Sequence, residues 1–281
     1  MVGTGAVVFT DNGRRAELGR ACIHPDYRGL RNGNGKGAFS ELIAERITHA
    51  LEQGAQIVHS TGVTSHPKTQ AGLEENECRA LALEQGKYAV LYDPENGQRE
   101  TSLEMVSLAS PVLKRRGLVT IPEDAITLVE YIIGSANAPI EIRTPSGVYH
   151  GAAITASYDP ISQHTLFFVV PGNKPLTEIL TRINSAVAKD TYVQVKISAV
   201  EGVAAPIHHA LAELGFKATG FLPGWIKRGP FIDDALVMER TNVGLDAGKI
   251  HLLGSARELA RKAGYNIVQY ANGTKPELSR A

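Results

Sequence analysis

Net charge is the first thing this chain lacks: 29 basic residues are balanced by 29 acidic ones. A balanced chain offers no broad basic face to a phosphate backbone, which argues against nucleic acid as a dominant partner. No apolar run is long enough to span a bilayer. The first residues, MVGTGAVVFTDNG, have no basic start and only a short apolar run, so no signal peptide is visible and no membrane is expected as a partner. There are only two cysteines, Cys22 and Cys78, and they form no metal-binding spacing. A reducing, cytoplasmic compartment is the expectation. What remains is a chain of 281 residues with 43% hydrophobic content, enough for one large domain or two ordinary ones.

The most informative stretch runs from Ala16 to Gln70. An apolar segment, Glu17 to Ile23, reads as a buried strand, and Cys22 within it as an inert core thiol, with a catalytic role the lesser reading. His24-Pro25-Asp26-Tyr27-Arg28-Gly29 follows, and then Asn32-Gly33-Asn34-Gly35-Lys36-Gly37. Phe39, Leu42, Ile43, Ile47 and Leu51 recur at helical spacing, and Gln56 to His59 reads as a second strand. Strand, glycine loop, helix and strand make a βαβ crossover. Glycines let successive backbone N–H groups face one anion, with the positive end of the helix dipole behind them. Arg28, Arg31 and Lys36 add charge, so a diphosphate is the expected ligand; a plain surface loop is the competing reading, because Asn-Gly is also a turn signal.

Two other phosphate loops are set aside. A Walker loop needs Gly-Lys-Ser/Thr, whereas Lys36 is followed by Gly37 and Ala38. A dinucleotide fingerprint expects an acidic residue at the end of the second strand, which here runs into His59-Ser60-Thr61. The pattern instead resembles the core of the GNAT acetyltransferase superfamily. Ile23-His24-Pro25-Asp26-Tyr27-Arg28-Gly29 is similar to its "hydrophobic-x-Pro-x-Tyr-Arg-Gly", and Asn32-x-x-Gly35-x-Gly37 to its "Gln/Arg-x-x-Gly-x-Gly/Ala", with Asn in place of Gln/Arg and a few residues inserted after Gly29. The resemblance implies an α+β fold: a mixed, mostly antiparallel sheet with flanking helices. It implies acetyl-coenzyme A, or another acyl-coenzyme A, as co-substrate. The expected coenzyme-binding positions are Cys22, Ile23, His24, Arg28, Gly29, Gly33, Asn34, Gly35, Lys36, Gly37 and Ala38, with the N–H groups of Cys22 to His24 as oxyanion donors.

Along the rest of the chain, Val2 to Thr10 and Ala16 to His24 read as strands around an Asp11-Asn12-Gly13 turn. A helix is expected over 71–84, then a hairpin of Lys87 to Tyr92 and Thr101 to Leu108 around 93–97. Ser110 to Pro122 reads as a linker whose Lys114-Arg115-Arg116 is solvated. From Ile140 onward the order strand, loop, helix, strand, helix, hairpin repeats, and Gly215-Phe216 with Asp233-Asp234-Ala235-Leu236-Val237-Met238 resembles the closing signature of the superfamily. The repeat's loop, Pro171 to Pro175, has one glycine and two prolines that remove donors, so this half is expected to bind no coenzyme. The expected division is 1–120 for an acyl-coenzyme A lobe, 121–240 for a degenerate second lobe, and 241–281 for a tail. In the tail Ser255 is expected to cap a helix, 266–270 to add a strand and 272–281 to fray. An ordinary α+β domain is the competing reading of 121–240. The superfamily's front strand and helices are not found before Val2, so the expectation is that another part of the chain covers that side, that the sequence begins late, or that a second copy or another partner supplies them.

Acyl transfer to an amine needs a base, an oxyanion donor and a proton for the leaving thiolate. The resemblance puts the base at Glu17; a strand-end carboxylate paired with Arg14 or Arg20 is the equal alternative. The tyrosine that the family often uses is absent from 71–84, leaving Tyr88, Tyr92 or unassisted departure open. His66 reads as a pocket residue or as a loop histidine before a proline turn. The expected acceptor is a small-molecule amine, and the competing function is a non-catalytic binding or regulatory module of the same fold.

Overall fold

The computed structural model describes residues 2–89, 99–190, 192–242 and 250–265. β1 (Gly3–Thr10) and β2 (Arg15–Ile23) pair antiparallel around a turn in which Asp11, Asn12 and Gly13 all have positive φ. Then come α1 (Ala38–Glu52), β3 (Ile57–Val63), α2 (Lys68–Glu75), β4 (Cys78–Ala89) and β5 (Arg99–Ser107). A joining segment holds β6 (Gly117–Thr120), α3 (Glu123–Ala136) and β7 (Ile140–Arg143). The chain continues with β8 (Ala152–Asp159), β9 (His164–Pro171), α4 (Leu176–Val187), β10 (Tyr192–Ser198), α5 (Ala204–Glu213), β11 (Lys217–Arg228), β12 (Phe231–Thr241) and α6 (Gly254–Lys262).

Ten strands form one sheet in the order β1-β2-β3-β5-β4-β11-β12-β10-β9-β8. The first five strands of that order are repeated, mirrored, by the last five: β8 answers β1, β9 answers β2, β10 answers β3, β12 answers β5 and β11 answers β4. Pairing is antiparallel except for the β2/β3 and β9/β10 neighbours. The halves meet where β11 lies against β4, at Gly220 opposite Ala82. A Cβ at Gly220 would stand 2.3 Å from that of Ala82, so only glycine permits this approach. α1 and α2 cover β1–β4, α4 and α5 cover the far half, and α3 and α6 pack over β4 and β11 across the junction. Of the apolar positions read from the sequence, α1 buries Ile43 and Ile47 and half-buries Phe39, Leu42 and Leu51, with Ala50 buried beside them.

Four expectations are corrected. The helix expected over 71–84 stops at Glu75: Asn76 turns its amide onto Ser40 and Gly72, and Glu77 takes φ +56°. Cys78 then starts β4, which lies between β5 and β11 and has 78 and 80–84 buried; continuous burial erases the two-residue alternation that marks a strand. The linker contains a short 3-10 turn and β6, which pairs with β7, and Arg115 is ion-paired to Asp234 at 2.8 Å rather than merely solvated. Cys22 is exposed, because β2 has left its neighbour strand by that point. Ser255 lies inside α6, not at its cap, where its N–H and hydroxyl both donate to Glu74 at 2.9 Å. The turn at 93–97, Tyr92, and the strand and tail after 265 lie outside the described residues.

Candidate functional site

β2 and β3 are paired over only three positions, Arg15 with Ile57, Ala16 with Val58 and Glu17 with His59, although both strands run on. Arg20 adopts φ +53°, a left-handed conformation rare for a residue with a Cβ and one that breaks a ladder. Side chains take over from the missing strand partners: Ser60 Oγ donates to the Leu18 carbonyl at 2.8 Å, and Arg46 Nη1 of α1 to that of Gly19 at 3.0 Å. Arg46 is buried, and desolvation lowers its pKa. The two strands therefore part without leaving those carbonyls unsatisfied.

A cavity of about 310 Å³ opens in this wedge, with Glu17, Arg20, Ser60, Thr61 and Tyr88 on its walls. A second, of about 520 Å³, runs along Ala21, Cys22 and Ile23 to the start of α1, where Gly37, Ala38 and Arg28 line it. Ala21, Phe39 and Thr69 line both, so the two form one trough from Glu17 to a helix N-terminus. That shape suits a long ligand with an anionic end: helix N–H groups at one mouth, with Arg28, Arg31 and Lys68 around them, and a carboxylate at the other.

Of the expected coenzyme-binding residues, Cys22, Ile23, Arg28, Gly29, Gly37 and Ala38 line the trough. Gly33, Asn34, Gly35 and Lys36 do not. Asn32 closes them into a turn of their own: its side-chain oxygen accepts from the N–H of Asn34 at 3.0 Å and of Lys36 at 2.9 Å, and its carbonyl from Gly35 N–H at 2.9 Å. The inserted residues give the loop room to fold on itself, so those donors face inward. His24 also lies outside the lining, and its N–H donates to the Val2 carbonyl at 2.9 Å, which removes it from the oxyanion donors. His66 is on the wall.

Glu17 sits half-buried in the wedge. Arg14 is engaged elsewhere, by Asp11 and the carbonyls of Gly224 and Trp225, and among the described residues no cationic nitrogen lies within salt-bridge distance of Glu17. Tyr88 comes from β4 rather than from the helix after β3. Burial raises its phenol above the ordinary value, opposed by Lys87, so it remains protonated at neutral pH.

Beyond Tyr88 lies a buried polar layer that sequence reasoning missed. His59 meets Glu104 at 2.7 Å; Glu84 accepts from Lys87 at 2.8 Å, Ser102 at 2.9 Å and, from the far half, Gln194 at 3.0 Å. Lys196 lies over the Trp225 ring, with Arg15 over the same ring, and burial lowers Lys196 to about 8. Gln194, Lys196 and Ser198 alternate with Val193, Val195 and Ile197, a period-two signal that carries this layer in the sequence.

No protein-family model matches the chain, and no curated protein matches it. Among solved structures, similarity is found to a Bacillus subtilis acetyltransferase in complex with CoA, at 17% identity over 38% of this chain and 68% of that one, with a TM-score of 0.31. Nourseothricin acetyltransferase overlaps 38% of this chain and 56% of its own length at 18% identity and a TM-score of 0.30. The N-terminal domain of a ribosomal-protein-alanine acetyltransferase from Clostridium acetobutylicum overlaps 32% and 73% at 14% identity and a TM-score of 0.25. All three are acetyltransferases by name. No helix among the described residues is long and apolar enough to cross a membrane.

Proposed function

We propose that the chain is an N-acyltransferase that moves an acetyl or other acyl group from coenzyme A to the amine of a small molecule. The observation that carries this reading is the trough left where β2 parts from β3, joining Glu17 to the N-terminus of α1. The thioester supplies an activated acyl group. Glu17 takes a proton from the ammonium, directly or through water, so that the nitrogen gains its lone pair. Cys22 shares the β1-facing edge with His24, opposite Thr4, so the Ile23 N–H, on the other edge of β2, is the backbone group that faces the carbonyl oxygen as charge develops there. The amide C–N bond forms, the C–S bond breaks, and the Tyr88 hydroxyl protonates the departing thiolate. The second proton that the nitrogen sheds on becoming an amide passes through water to the Tyr88 oxygen, while the proton on Glu17 is released to solvent. The diphosphate lies on Gly37, Ala38 and Arg28.

The acceptor binds on the side of Glu17 that faces the polar layer, between the halves of the sheet, and this reading keeps 1–120 as the acyl lobe, 121–240 as its supporting lobe and 241–281 as a tail. The closed Asn32 turn favours a second reading, a binding module that holds coenzyme A without turnover, because it withdraws donors from the diphosphate. Mass spectrometry of the purified chain with acetyl-coenzyme A and pooled amines separates the two: acylated amine with free thiol is expected, and bound coenzyme with no product in any pool favours the module.

A further inference from the structure

The region between α3, α5 and α6 has no part in the trough. A cavity of about 220 Å³ there is lined by Asp124, His208, Lys217 and Lys262 among others. Asp124 stands in the first turn of α3, and His208 and His209 are on α5. Ligating atoms of Asp124, His208 and His209 all lie within 4.8 Å of one another. His208 is 2% exposed, and its Nδ1 has no hydrogen-bond partner; Asp124 Oδ1 is at 3.6 Å from it. An imidazole nitrogen buried without a partner is costly, and this one points at a carboxylate across a gap wider than a hydrogen bond but close to the spacing of two ligands on one ion.

We propose that Asp124, His208 and His209 bind a first-row transition metal of the zinc type, which clips α3 to α5. The buried His208 is the fixed ligand. Asp124 and His209 are exposed and need only side-chain rotation to close on the ion, leaving one position for water. Two imidazoles and one carboxylate favour Zn²⁺, Cu²⁺ or Ni²⁺ over Ca²⁺ or Mg²⁺, which want oxygen ligands. The lysines sharpen that choice. Lys217 lays its ammonium over the Tyr265 ring at 5.2 Å, and Lys262 rims the same cavity, so a cation held by charge alone is disfavoured.

The test is calorimetric titration of the full, chelator-treated chain with zinc chloride, alongside His209→Ala and Asp124→Asn, both at exposed positions, with circular dichroism to check the fold. One ion per chain is expected, with each variant weakening binding at least about tenfold. Zinc at a hundredfold excess over its dissociation constant should raise the melting temperature by roughly 5–10 °C in the parent and not in the variants. Cobalt in place of zinc should give the visible absorption of a four-coordinate ion. No binding at millimolar zinc, or equal affinity in parent and variants, overturns the proposal. None of these readouts depends on acyl transfer.

Discussion

The two parallel strand pairs of this sheet occupy matching places, and they behave differently. β2 and β3 share three ladder positions and then part. β9 and β10 share six, from His164 with Tyr192 to Val169 with Ile197. Counted from the first pair of each ladder, Glu17 corresponds to Leu166 and His59 to Gln194. At the helix that follows, α1 begins at the trough, whereas the loop before α4 is stitched down: Lys174 bridges to Ala152, and a Cβ at Gly172 would stand 2.4 Å from the Ala153 nitrogen. The same order of elements thus gives a slot in one half and a closed sheet in the other. The difference lies in Arg20's backbone and in two side-chain donors, Ser60 and Arg46, that let β2 leave its partner.

If that difference is functional, the largest effect should come from Glu17→Gln. Turnover should fall by about a hundredfold or more while coenzyme A affinity changes less than twofold; a variant with parental turnover removes Glu17 from the chemistry. Next is stoichiometry. One coenzyme per chain is expected by titration calorimetry, and two equivalent sites would erase the contrast between the halves. Replacing Arg46 by Met should leave the Gly19 carbonyl without its donor, at about 1–3 kcal/mol in chemical denaturation, and weaken coenzyme binding with it; loss of stability with unchanged affinity would mean that the wedge holds without Arg46.

A smaller effect concerns the junction. Burial raises the Glu239 carboxyl to about 8, against hydrogen bonds from Tyr192 and the Gln85 N–H. The folded chain therefore holds a proton that the unfolded chain releases above its ordinary 4.5. Between those values the folded state binds more protons, so this group's contribution favours folding at the acid end and is lost as pH rises toward 8. Glu239→Gln should flatten that part of the stability–pH curve measured by denaturant titration. The smallest effect is expected at Gly35. Its φ of +75° makes Gly35→Val strained, yet no wall of the trough contains it, so coenzyme affinity should fall only a few-fold; abolished binding would return the glycine turn to the diphosphate.

The βαβ unit was legible because α1 shows a clean helical period and is bounded by glycine and apolar strands. The repeat was legible for the same reason, from element order alone. The first part of β4 was not, since a strand buried on both faces carries no alternation; reading 78–84 as helix hid Glu84, whereas Lys87 and Tyr88 fell in the stretch already read as a strand. The closure of the glycine turn was also hidden: it depends on where one Asn32 oxygen points, and the motif's spacing says nothing of that. The clip residues Asp124 and His208 lie 84 positions apart in the sequence, beyond any local pattern.

The seam at Gly220 and Ala82 has a further consequence, for the chain while it is being made. Each half ends on a long strand, β4 or β11, with twelve residues apiece, and in the finished sheet each is the other's cover. A ribosome that has released only the first half has exposed β4 as a bare, apolar border, a template for any neighbouring nascent chain. The first half must therefore wait for the second, and a truncated product of residues 1–120 should collect in insoluble, strand-paired aggregates.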